Sequence, residues 1–102
     1  MKYTYELRKE IYDKGLQKWG YIAQFDQTIE EMSELTQAIC KYKRQLNGEY
    51  KDRPDIIDNL IEEIADVYMC IEFLQILLGE DEFNKKLDLK LEKFINQIEN
   101  KH

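Results

Sequence analysis

A chain of 102 residues with a net charge of −6, from 15 basic and 21 acidic side chains, is long enough for one domain with a modest core. That balance argues against a general nucleic-acid binder, whose affinity rests on neutralising phosphate. No window approaches the length of a membrane span, MKYTYELRKE carries no apolar signal core, and Cys40 and Cys70 lie inside helical patterns. These features predict a cytoplasmic protein without membrane or nucleic-acid partners, and a core this small predicts self-association.

Gly15, Gly20, Gly48, Pro54 and Gly79 punctuate the chain and leave four stretches of helical periodicity, without strand-like alternation. A first helix is predicted over about 3–18, with Leu7, Ile11 and Leu16 on one face, ending near Trp19-Gly20. A second, over about 21–46, stops at Leu46-Asn47-Gly48. After the polar loop GEYKDR, Pro54 suits the first position of a third helix over about 54–78. Gly79 ends it. A fourth helix, over about 81–99, carries Phe83, Leu87, Leu91, Phe94 and Ile98 at spacings of three or four before the polar tail ENKH. With no linker between these elements, residues 1–102 read as a single all-α domain resembling a four-helix bundle.

Inside the second and third helices one segment is written twice, as DQTIEEMSEL from Asp26 and DNLIEEIADV from Asp58. Aspartate, isoleucine and both glutamates are identical, and most of the other pairs are like-for-like. Each helical residue advances roughly 100°, so Glu31 projects from the edge of an apolar stripe that includes Phe25, Ile29, Met32, Leu35, Ile39 and Tyr42. Glu34 stands one turn further along, and Glu30 is turned toward solvent. On the third helix Glu63 holds the place of Glu31, and Asp66 that of Glu34. Antiparallel packing through the two stripes, which a short loop favours, would bring Glu31, Glu34, Glu63 and Asp66 together.

Four carboxylates in a partly dry site persist by shifting their pKa values, by pairing with basic groups, or by holding a divalent cation. The lone histidine, His102, is at the tail, and all-oxygen ligation suits Mg²⁺ or Mn²⁺ rather than zinc or copper. A single ExxE is usually solvated surface. Two at the same stripe angle inside a repeat favour a site.

Glu31-x-x-Glu34, followed after 28 intervening residues by Glu63-x-x-Asp66, resembles the ExxE…ExxD signature of the MazG-like all-α nucleoside triphosphate pyrophosphohydrolases. Lys18-Trp19-Gly20, Gln24, Ala38, KYKR and EEIADV extend the likeness. The resemblance implies a MazG-type fold and cleavage of a (d)NTP between its α- and β-phosphates, giving (d)NMP and pyrophosphate. It also implies a homodimer or homotetramer, with Glu31, Glu34, Glu63 and Asp66 holding Mg²⁺.

The chemistry suits an acidic protein, since bridging cations supply the attraction for a triphosphate. Glu30 or Glu34 is the candidate to take the proton of an attacking water. Trp19 is a candidate to stack on the base and Gln24 to bond its edge. Asn59 and its counterpart Gln27 are placed to orient a carboxylate or touch a sugar hydroxyl. Lys41 and Arg44 are the nearest cations for phosphate oxygens, although basic residues there also complement the helix dipole. Two alternatives stand beside this reading: a phosphoribosyl-ATP pyrophosphohydrolase-like enzyme, and a catalytically inactive helical oligomerisation or regulatory module.

Overall fold

Among residues 1–100, which the computed structural model describes, the chain forms three helices and no strand. The lone histidine, His102, lies outside the described residues. Helix α1 spans Tyr5–Leu46, α2 Pro54–Leu78 and α3 Glu80–Asn100. The all-α expectation holds, but four helices become three, because the stretches expected over 3–18 and 21–46 form one element. Gly20 (φ 83°, ψ 169°) kinks α1 without ending it. That backbone region is essentially restricted to glycine, and helix resumes on its far side with no intervening loop. We refer to residues 5–19 as the N-arm of α1 and to 21–46 as its C-arm.

Local chemistry accounts for the ends. Thr4 Oγ1 accepts a hydrogen bond from the Leu7 N–H at 3.2 Å and caps α1. Pro54 opens α2, where a missing N–H costs nothing, and Arg53 pairs with Asp55 at 2.7 Å. Gly79 (φ 122°) is the single residue between α2 and α3.

The C-arm and α2 run antiparallel, with Thr28 beside Cys70, Glu31 near Asp66, and Lys41 near Ile56 and Asn59. Thr28 and Ala38 are buried at this seam, as is Ile56, while Leu35, Leu60, Val67 and Leu74 are half-buried. All lie within roughly 60° of Glu31 or Glu63 around their helices. Residues from roughly 80° to 160°, among them Ile29, Met32, Ile39, Ile61, Ile64 and Tyr68, are exposed. The helices therefore do not meet through the middle of the apolar stripes, as expected. They meet along the acid-bearing edge, which puts Glu31 and Glu63 in the seam and leaves the rest of each stripe open. An apolar arc this broad is wider than one neighbouring helix can cover.

The same shortage of cover runs through the chain. Ala38, Ile56 and Phe73 are the buried apolar residues among those described. Beyond Phe83 every described residue of α3 is exposed, including Leu87, Leu91, Phe94 and Ile98. The chain exposes 8425 Å², against about 6,100 Å² for a folded monomer of its 12.4 kDa mass. Its radius of gyration is 17.1 Å, where about 13 Å is usual for a compact domain of this length. A closed bundle is thus not made by one chain. Among the described residues no helix is long and apolar enough to cross a membrane.

Candidate metal centre and adjoining pocket

Glu31 from the C-arm and Glu63 and Asp66 from α2 can each place one carboxylate oxygen within 4.8 Å of the other two. Glu63 and Asp66 share a helix face because three residues separate them, and the antiparallel seam sets Glu31 opposite. Glu31 and Glu63 are half-buried, and Asp66 is exposed. Gln27 Nε2 donates to Glu31 Oε1 at 2.6 Å. Glu31 Oε2 and Glu63 Oε2 are buried without a hydrogen-bond partner among the described residues.

The electrostatics follow from that placement. Burial first, then the charges of Asp66, Glu34 and Glu63, push the Glu31 carboxyl above the ordinary range, and the Gln27 bond only partly offsets them. Burial likewise raises Glu63, with further contributions from Glu34 and Asp66. Buried carboxylate oxygens without donors are expensive, and a cation is the partner that satisfies two of them at once. The donor set is all oxygen. At a metal–oxygen distance of about 2.1 Å, neighbouring ligands of one Mg²⁺ stand about 3 Å apart and opposite ones about 4.2 Å, so oxygens within 4.8 Å of one another could hold Mg²⁺ or Mn²⁺ once they draw in.

The remaining expected acids are placed differently. Glu34 lies outside the close trio, half-buried and near enough to Glu63 for its charge to help raise that carboxyl. Glu30 is exposed and belongs to no cluster.

Beside the acids opens a pocket of about 210 Å³. The N-arm supplies Ile11, Tyr12, Gly15 and Trp19 to its wall, the C-arm Gln24, Gln27 and Glu31, and α2 Asp66, Met69, Cys70 and Phe73. Glu31 and Asp66 thus belong to both cluster and pocket. A dry cavity of about 150 Å³ already admits benzene, so a planar ring fits here. A Cβ on Gly15 would lie 3.5 Å from Gln24 Nε2 and 3.6 Å from the Trp19 ring, so the bare glycine widens the pocket just where those two side chains flank it. Trp19 is 61% exposed, with Lys18 Nζ 5.0 Å from its ring centre. Burial raises the Cys70 thiol.

Trp19 and Gln24, both singled out in the sequence, therefore meet at one pocket. Lys41 and Asn59 meet in a second hollow, of about 350 Å³, with Tyr50, Arg53 and Asp55. Asn59 is one turn before Glu63, so this hollow adjoins the acids at the end away from Trp19. Arg44 lines neither, and stands near Tyr50 at the end of α1. Tyr12, Met69 and Phe73 were missed from the sequence: their role depends on the N-arm folding back across α2, for which no local pattern gives a signal.

No protein-family model, curated protein or solved structure matches this chain.

Proposed function

We propose that the chain is a Mg²⁺-dependent pyrophosphohydrolase that cleaves a (d)NTP between its α- and β-phosphates, the activity its ExxE and ExxD motifs imply, with Mn²⁺ able to replace Mg²⁺. One observation carries this reading: three carboxylates converge within 4.8 Å, with buried oxygens of Glu31 and Glu63 unpartnered, at the wall of a ring-sized pocket. Bound Mg²⁺ would offset the charge of the triphosphate, polarise the α-phosphate and acidify a bound water.

The chain's own residues do the rest. Glu31, Glu63 and Asp66 hold the ion, and Gln27 fixes the Glu31 carboxylate. Glu34, half-buried next to Glu63 and outside the close trio, takes the proton of the attacking water; exposed Glu30 is the poorer base. As the water oxygen bonds the α-phosphorus, the bond to the bridging oxygen breaks and pyrophosphate leaves. The base enters the pocket between Trp19 and Gln24. The outer phosphates run past the acids toward Lys41 and Asn59.

A homodimer or homotetramer belongs to the same proposal. The chain exposes about 2,300 Å² more than a monomer of its mass should, and a standard interface buries only about 800 Å² per partner.

The test is a panel of canonical and modified (d)NTPs incubated with the purified protein and Mg²⁺, with the products identified. Monophosphate plus pyrophosphate from at least one nucleotide supports the proposal. Orthophosphate release refutes it. A stable oligomer that binds neither Mn²⁺ nor any nucleotide selects the inactive helical module instead.

A further inference from the structure

Glu72 is a charged side chain only 5% exposed, on the opposite side of α2 from Glu63. Its carboxylate accepts from Arg8 Nε at 2.7 Å, Arg8 Nη2 at 2.9 Å, the Tyr12 hydroxyl at 2.7 Å and the Tyr68 hydroxyl at 3.3 Å. A buried charge is tolerated when it is fully paired in this way. Two of the three donor residues, Arg8 and Tyr12, come from the N-arm, one helical turn apart.

The N-arm needs such a fastening. It joins the C-arm through Gly20, where the helix breaks and where an added Cβ would meet no atom within 4 Å. Helix continuity therefore does not fix its direction. Among its other ties to the body are the Tyr12 ring edge on Phe73, with centroids 6.5 Å apart, and the Lys9–Glu80 pair at 3.4 Å. Yet this arm carries one whole wall of the pocket, including Trp19 and Tyr12. Tyr12 faces both ways, bonded to Glu72 and lining the pocket.

We propose that Glu72 is a positioning residue for the pocket: by gripping Arg8 and Tyr12 it latches the hinged N-arm in place as the pocket's wall. The acid cluster is built from the C-arm and α2 and does not depend on the latch. That the ring held by this wall is a nucleobase rests on the function proposed above; the latch itself does not.

The latch is tested with Glu72→Gln and Arg8→Gln in the full chain, and with Tyr12→Phe, which removes one hydrogen bond and keeps the ion pair. Hydrogen exchange of the amides of residues 5–19 is expected to accelerate about tenfold or more in the first two variants, and less in the third. Trp19, the one tryptophan of the chain, should become more accessible to acrylamide in the same order. Mn²⁺ affinity, measured with the metal alone by electron paramagnetic resonance, should stay within about twofold of wild type, as for a site whose ligands are undisturbed. With a nucleotide that the wild type hydrolyses, KM should rise about tenfold while kcat changes little, the signature of lost binding.

Unchanged exchange and quenching in Tyr12→Phe and in whichever charge variant folds would overturn the latch. A fall in Mn²⁺ affinity parallel to release of the arm would also overturn it, since wall and cluster would then be one unit. If the exchange, quenching and Mn²⁺ results come out as expected but the wild type turns over no nucleotide, the latch stands and the hydrolase proposal fails.

Discussion

Gln27 Nε2 donates to Glu31 Oε1 at 2.6 Å, so one oxygen of Glu31 is held while the other, Oε2, is buried without a partner. An amide that orients a metal-binding carboxylate is typically worth 10–100-fold in metal affinity. Gln27→Ala is therefore expected to weaken Mn²⁺ binding by about that factor, and calorimetric titration measures it. The same substitution removes the one contact that favours the ionised form of Glu31, so the carboxyl should titrate still higher. Unaltered Mn²⁺ affinity would leave Gln27 without this role.

Glu63→Gln should separate stability from metal binding. Burial and neighbouring charges disfavour the Glu63 carboxylate, so a neutral isostere relieves strain in the metal-free protein. A melting temperature a few degrees higher is expected in EDTA, the size of effect that relief of a crowded charge gives in a domain this small. The gain expected for wild type on adding Mn²⁺, which follows from binding to the native state alone, should vanish in the variant. Calorimetry or circular dichroism with and without metal decides the matter; a lower melting temperature in EDTA speaks against a strained cluster.

Acidification should act on the two acidic networks in opposite directions. Glu31 and Glu63 are raised above their ordinary 4.5, chiefly by burial and then by neighbouring charges, so the destabilisation is complete above the folded pKa values and is relieved as pH falls through them toward 4.5. Glu72 is held down to about 2, chiefly by Arg8. Its contribution is complete above 4.5 and is lost as pH drops from there to about 2. For this nearly buried group the difference amounts to about 3 kcal/mol. Urea unfolding in EDTA from neutral to acid pH should thus show greatest stability near pH 5, at about where the two effects cross. A steady fall from pH 7 would contradict the assignment of the raised pair.

The helix ends and the acid motif were legible because both are short-range properties. Pro54, Gly79 and Leu46-Asn47-Gly48 bound their helices as expected, since capping and backbone preference act within a turn. Glu31, Glu63 and Asp66 converge because an i, i+3 spacing and an antiparallel pair follow from periodicity. Gly20 was misread as a stop, since a positive-φ glycine can end a helix or kink it, and only the fold of the N-arm distinguishes the two. The stripes were read correctly as apolar and wrongly as the seam. Periodicity tells which residues avoid water, but not whether Ile64 or Leu60 meets the neighbour within one chain. The Arg8–Glu72 pair, 64 positions apart, left no mark in local pattern at all.

Gly20→Ala tests the kink directly. At φ 83° and ψ 169° an alanine is strained even though its Cβ would meet open space, so the cost lies wholly in the backbone. A loss of about 1–3 kcal/mol is expected, seen as a lower urea midpoint with an unchanged slope. Trp19, the neighbouring residue on the pocket wall, should report any redirection of the N-arm by a shift in its emission. A variant as stable as wild type would mean that α1 can straighten at no cost, and the kink would then not be a fixed feature of the fold.

The exposed apolar faces set the last expectation. Ile64, 52% exposed on α2, and Leu91, 51% exposed on α3, lie in arcs that the described residues leave largely uncovered. Each such side chain is worth about 1.5–3 kcal/mol when fully taken out of water, and charge at an apolar contact adds the penalty of desolvation. Wild-type protein at micromolar concentration is expected to sediment as a dimer or tetramer, well above the 12.4 kDa of one chain. Ile64→Glu and Leu91→Glu should each shift the distribution toward monomer and lower stability together with it, because association and burial are the same event in a chain with so little core of its own. Hydrogen exchange would then accelerate along the exposed arcs of α2 and α3 before the seam around Ala38 opens. A wild-type chain that stays monomeric, with a sharp unfolding transition independent of concentration, would show that these faces need no second copy.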